Sequence, residues 1–207
     1  MHIDTFTGGA FETNGFLIKT SNGGGILIDA PEGAHEWLQR TGVKVSTLLL
    51  THGHFDHVMD AAKIKAAHGC RVGYHRDGTA MLTEPGFFGK IGFPYNIECV
   101  AADFLIDETD ALQVDGIDFK VLHVPGHCPG SLCFFAKGER IVFGGDVLFA
   151  GGVGRWDLPG GDRRLLLSGI VDKLLALGDD VRVLPGHGPA TTIGRERATN
   201  PFLAGAV

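Results

Sequence analysis

Thr51-His52-Gly53-His54-Phe55-Asp56-His57 sets three imidazoles and a carboxylate within six positions, directly after the mostly apolar run at 45–50. Such a cluster is expensive to bury and useless to a core unless a cation joins its members. On an extended backbone His52 and His54 point the same way, toward one ion. Asp56 and His57 are neighbours, so their side chains diverge and suit a second cation beside the first. The stretch therefore predicts a metal pair held in the loop after a buried strand.

Working outward, three more donors stand in short turns after strand-like runs. They are His127 in Pro125-Gly126-His127-Cys128-Pro129-Gly130, Asp146 in Gly144-Gly145-Asp146, and His187 in Pro185-Gly186-His187-Gly188-Pro189. The flanking glycines let each backbone approach a site closely. Strands are expected at 16–18, 26–28, 45–50, 71–74, 119–124, 132–136, 141–143 and 181–184, from apolar runs bounded by turn residues. Helices are expected at 32–40, at 58–67 with Asp56 as cap, and at 164–177. Residues 83–96, with Pro85, Phe87, Phe88, Phe93 and Tyr95, read as a structured loop carrying aromatics. These aromatics either wall a pocket or cap the core. The element order repeats between the two halves, which predicts an α/β fold of two stacked sheets with helices outside, a four-layer sandwich.

With 207 residues the chain is read as a single domain, 1–207, and its 32 glycines lie in short clusters that mark tight turns. The formal charge of −6, without a Lys/Arg cluster, offers no footprint for a phosphate backbone, so nucleic acid is not an expected partner. No apolar run is long enough to span a bilayer, and Met1-His2-Ile3-Asp4 lacks the features of a signal peptide. A cytoplasmic protein is expected. Cys70, Cys99, Cys128 and Cys133 match neither a zinc ribbon nor a disulfide framework and read as buried reduced thiols. Thr51 and Ser131 read as small residues that satisfy nearby backbone groups.

The pattern H-x-H-x-D-H followed by spaced His, Asp and His, from about Asp29 to His187, resembles the metallo-β-lactamase superfamily at every position. The resemblance implies that His52, His54 and His127 hold one metal, that Asp56, His57 and His187 hold the other, and that Asp146 bridges them. Nitrogen and oxygen donors of this kind suit zinc, the default, as well as iron or manganese. A metal-bound water is the implied nucleophile, at a cationic centre that polarises a carbonyl. Asp56 is the candidate acceptor of its proton, and Asp29 resembles the buried aspartate that orients ligands in this family.

Secreted β-lactamases of the family carry Cys where this chain has Asp146, so antibiotic hydrolysis is not the expected role. Gly152-Val153-Gly154-Arg155-Trp156-Asp157 resembles the G-x-G-R-x-D stretch of the glyoxalase II group, and Asn200-Pro201-Phe202 its tail. The implied activity is a thioesterase acting on S-lactoylglutathione or a related acyl thiol. Arg155 is a candidate for a substrate carboxylate, or else an ion-pair partner of Asp157 or Asp162. The same G-R-x-D stretch occurs in persulfide dioxygenases, which makes a mononuclear-iron dioxygenase the alternative. Only 20 residues follow His187, too few for the helical domain that holds glutathione in longer relatives. Oligomeric state is not legible.

Overall fold

The computed structural model describes residues 1–84 and 86–204. The first half builds a sheet from β1 (His2–Gly8), β2 (Thr13–Lys19), β3 (Gly24–Ile28), β4 (Lys44–Leu49), β5 (Arg71–Tyr74) and β6 (Phe104–Leu105), in that spatial order. β1, β2 and β3 pair antiparallel, and β3 to β6 pair parallel. Parallel neighbours need crossovers, and these carry α1 (Ala34–Thr41), α2 (Phe55–Val58), α3 (Ala61–His68), α4 (Thr79–Thr83) and α5 (Phe87–Lys90).

The second sheet comprises β7 (Thr109–Val114), β8 (Ile117–His123), β9 (Leu132–Ala136), β10 (Ile141–Gly145), β13 (Arg182–Pro185) and β14 (Thr191–Thr192), with a small β11 (Leu148–Phe149) and β12 (Gly152–Val153) hairpin beside it. Its order is β14-β13-β10-β9-β8-β7, with α6 (Arg163–Gly169) and α7 (Ile193–Thr199) outside. Phe16, Ile18, Ile28 and Leu49 of the first sheet interleave with Val121, Phe134, Phe143 and Leu184 of the second. Leu17, Leu27 and Leu48 face the other way, toward Leu38 and Ile64 of α1 and α3, while Val142 and Val183 meet Leu166 and Ile193 of α6 and α7. Period-two alternation thus feeds both faces of each sheet, and the result is the expected four-layer αβ/βα sandwich. Each such buried side chain contributes about 1.5–3 kcal/mol.

Several expectations are corrected. The helix expected at 58–67 is broken at Asp60, because the His57 carbonyl accepts from Ala30 N and Asp60 N donates to the Ala30 carbonyl. Asp56 therefore lies inside the first turn of α2 and caps nothing, whereas the buried Asp60 carboxylate accepts from Gly33 N and His35 N at the start of α1. The helix expected at 164–177 stops at Gly169 and continues as a π turn over Ile170–Leu174 and a 3-10 turn over Leu175–Leu177. The region 83–96 contains α5 instead of unbroken loop; Pro85 lies outside the described residues. Cys99 is exposed, while Cys70, Cys128 and Cys133 are buried free thiols as expected. Among the described residues no helix is long and apolar enough to cross a membrane.

Candidate metal centre

Every sequence-predicted donor sits just beyond the C-terminal end of a strand. Residues 51–57 follow β4, His127 follows β8, Asp146 follows β10, and His187 follows β13. Aligned strands with their loops at one end bring these four turns together, as open α/β sheets generally do. The donor atoms of His52, His54 and His127 lie within 4.8 Å of one another, and so do those of Asp56, His57 and His187. Asp146 touches both groups: Oδ1 is 3.2 Å from His57 Nε2, and Oδ2 is 3.5 Å from His127 Nε2 and 3.3 Å from His187 Nε2.

Outer hydrogen bonds aim four of the five imidazoles inward. His127 Nδ1 donates to the Arg155 carbonyl at 2.7 Å, and His187 Nδ1 donates to the Phe11 carbonyl at 2.9 Å. His57 Nδ1 donates to Asp29 Oδ2 at 2.8 Å. His52 Nδ1 lies 3.2 Å from Thr51 Oγ1, which itself donates to Asp29 Oδ2. With each Nδ1 engaged on the outside, Nε2 is left as the inward donor.

Asp29 accepts from His57 Nδ1 directly, is linked to His52 through Thr51 Oγ1, and accepts from Thr51 N as well. It adopts a left-handed φ of 59°, a strained turn for a non-glycine residue, held by these three bonds. Thr51 is corrected from a backbone-satisfying residue to a link between Asp29 and His52. Ser131 is corrected too, since its buried hydroxyl has no hydrogen-bond partner among the described residues.

The arrangement fits a pair of cations. The Nε2 atoms of His52 and His127 face each other at 3.3 Å, and those of His57 and His187 at 3.4 Å. Asp146 Oδ1 is buried and has no hydrogen-bond partner among the described residues. Gly186 clears the space: a Cβ there would fall 2.2 Å from Asp146 Oδ1 and 2.6 Å from His57 Cε1. Seven nitrogen and oxygen donors suit zinc, iron or manganese and do not choose among them.

Without metal, charge is divided unevenly. Burial, reinforced by neighbouring imidazoles, keeps His52 well below the usual histidine range and holds His54 down to about 3. On His57 burial opposes the charge, but the carboxylates of Asp146, Asp56 and Asp29 outweigh it and raise the imidazole well above its ordinary range. His187 is likewise opposed by burial yet raised to about 10 by hydrogen bonds with Asp146 and Asp56. Since its folded value lies above the ordinary histidine value of 6.5, charged His187 stabilises the metal-free fold fully below pH 6.5 and loses that contribution as pH rises through about 10. Metal ligation requires neutral imidazoles, so cation entry at pH 7 is expected to expel about two protons per chain, from His57 and His187. Calorimetric titration of metal into metal-free protein, in buffers of differing ionisation enthalpy, measures this; release near zero would contradict it.

A cavity of about 140 Å³ opens onto the cluster, walled by Phe11, Phe55, Met81, Phe88, Ile91, Phe93, Leu158 and Pro159. Phe88 and Phe93 thus wall the pocket, while Tyr95 stacks behind on Phe55, with ring centroids 4.1 Å apart. Phe87 packs edge-on against Phe88. Arg155 lines the cavity with its guanidinium forked onto Asp157 by two bonds of 2.8 Å, whereas Asp162 caps α6.

Three contributors escaped sequence reasoning. Thr13 Oγ1 donates to Asp56 Oδ2 at 2.8 Å. The Phe11 carbonyl holds His187. Fully buried Glu196 accepts from Gly151 N, Thr191 and Asn200, fastening the hairpin that follows Asp146. Asn200, part of the noted tail motif, also donates to the Gly152 carbonyl. Asn200-Pro201 was the only sequence signal for this fastening.

The profile of the Metallo-beta-lactamase superfamily matches residues 8–187. Hydroxyacylglutathione hydrolase GloC of Haemophilus influenzae is 39% identical, over 98% of this chain and 98% of its own. The crystal structure of the BLEG-1 B3 metallo-beta-lactamase superposes with a TM-score of 0.91 at 34% identity, covering 98% of this chain and 99% of that one. The structure of TTHA1623 in a di-iron-bound form gives 0.78 at 36% identity, covering 97% and 100%.

Proposed function

The chain belongs to the metallo-β-lactamase superfamily of metal-dependent hydrolases, and within it we propose a glyoxalase II-like thioesterase that cleaves S-lactoylglutathione or a related acyl thiol. The observation that carries this is the composition of the cavity. Among the described residues its titratable side chains are the cluster's own histidines and aspartates and Arg155, which Asp157 occupies. No separate acid stands ready to protonate a leaving group. A thiolate, with a pKa of about 8.5, departs without one, whereas an amine does not.

Two divalent cations, when bound, supply Lewis acidity toward the acyl carbonyl and bring the pKa of a water to about 7. The chain supplies the rest. His52, His54 and His127 would hold one ion, Asp56, His57 and His187 the other, with Asp146 between. Asp56, which lines the cavity with Oδ2 steadied by Thr13, is placed to take the proton of the attacking water. The phenylalanine wall excludes bulk water and seats a small acyl group. An apolar cavity does not favour a phosphodiester, which agrees with a small-molecule partner and against nucleic acid. The proposal places the enzyme in the cytoplasm, where its cysteines stay reduced, with zinc as the working metal.

The 39% identity to a hydroxyacylglutathione hydrolase supports this choice. The lactamase relative supplies a competitor, and persulfide dioxygenation is the other, although the second donor group completed by His187 favours a dinuclear hydrolase. The test combines metal content of protein purified without added metal with loss of S-lactoylglutathione absorbance, cleavage of a cephalosporin, and oxygen uptake with glutathione persulfide. About two metals per chain and thioester turnover, abolished in Asp56→Ala, are expected. Faster lactam cleavage would replace the thioesterase with a lactamase; one iron with oxygen uptake and no thioester turnover would establish the dioxygenase.

A further inference from the structure

We propose a separate transition-metal site where β5 and β8 end, formed by His75, Asp77 and His123, none of which belongs to the centre described above. One donor atom from each of the three lies within 4.8 Å of the other two. His75 directly follows β5 of the first sheet and His123 is the last residue of the second sheet's β8, so the site spans the two sheets. Their rings stack with centroids 4.1 Å apart and planes 18° from parallel.

Hydrogen bonding fixes the tautomers so that Nδ1 is the nitrogen with the lone pair in both rings. His75 Nδ1 accepts from Asp77 N at 3.2 Å, so this nitrogen carries the lone pair and Nε2 the proton, and an ion takes that lone pair by displacing the Asp77 N–H. His123 Nε2 lies 2.7 Å from the Pro129 carbonyl, which only accepts; Nε2 bears the proton and Nδ1 is open. Asp77 Oδ2 is 3.8 Å from His75 Nδ1, a span that two donors at about 2.1 Å each can close on one ion. His75 is buried, His123 partly so, and the Asp77 carboxylate is exposed, giving the ion an open side for water.

The surrounding charge admits a cation. Arg76, next to His75 in the chain, is forked onto Asp107 at 3.0 and 2.6 Å. Lys173 is engaged by Glu108 and by the His123 carbonyl. Two imidazoles and one carboxylate suit zinc-class divalent ions over calcium or magnesium. Binding asks the stacked rings to splay, with partly exposed His123 the ring that turns while Nε2 stays near the Pro129 carbonyl.

The experiment equilibrates protein with excess Zn²⁺, removes free metal by dialysis at a buffered zinc level, and counts bound zinc by mass spectrometry. Wild type is compared with Asp77→Asn and His123→Gln. Both variants keep all seven donors of the main centre, so its occupancy cancels in the difference, and His123→Gln retains a donor for the Pro129 carbonyl. Wild type is expected to hold one zinc more per chain than either variant. Added Zn²⁺ is also expected to raise the Tm of zinc-loaded wild type and to leave that of the variants unchanged, because an ion bound only to the folded state stabilises it. Equal zinc content in all three proteins, or equal Tm increments, would overturn the proposal. A variant with lowered Tm before zinc addition is read through Asp77→Asn, whose exposed carboxylate contributes little to folding.

Discussion

Asp146→Asn is expected to lower thioester turnover by about 10³-fold while leaving the far-UV circular dichroism unchanged. Asparagine keeps the volume of Asp146 but removes its charge and one of its two oxygen donors, at the one point that touches both donor groups. Five imidazoles and the Asp56 carboxylate would then face two cations across a neutral amide. The loss of charge compensation amounts to several kcal/mol in a buried centre, which corresponds to that factor in rate. The metal content of the purified variant should drop in parallel. Full activity with two metals retained would show that Asp146 is not the bridge.

Asp29→Asn is expected to weaken metal binding about 10–100-fold, with turnover at saturating metal recovering in part. The argument is one of tautomers. Asp29 accepts three hydrogen bonds, from Thr51 N, Thr51 Oγ1 and His57 Nδ1. An amide has a single accepting oxygen. If it faces Thr51 N, its NH₂ confronts His57 Nδ1 and drives the imidazole proton onto Nε2, the atom aimed at the metal. If it faces His57, the buried Thr51 N–H is left without an acceptor, which costs about 1–3 kcal/mol. Titration with a competing chelator reads the affinity. Unchanged affinity would demote Asp29 to a turn residue.

The division between what could be read and what could not follows the range of the interactions. The strands at 45–50 and 132–136 announced themselves because apolar runs are local patterns, and the donors because imidazoles beside glycines in turns have few other uses. β1 and β7 did not, since each is an edge strand with polar residues facing water and no continuous apolar run. The break at Asp60 was invisible because its cause is a pair of backbone bonds to Ala30, some 30 residues earlier in the chain. Thr13 and the Phe11 carbonyl were missed for the same reason, being ordinary residues given a role by partners 43 and 176 positions away.

The amino-acid sequence by itself determined the candidate donor set, the two-sheet α/β architecture and the expectation of a dinuclear centre, because residue chemistry and periodicity are written along the chain. Only the tertiary structure decided which nitrogen of His52, His57, His127 and His187 points inward, that Asp146 reaches both groups, and that the aromatics at 88 and 93 close the cavity with Phe11 and Phe55. Those outcomes depend on carbonyls and rings contributed by distant segments, whose approach is set by how two sheets pack and not by any local preference of the residues themselves.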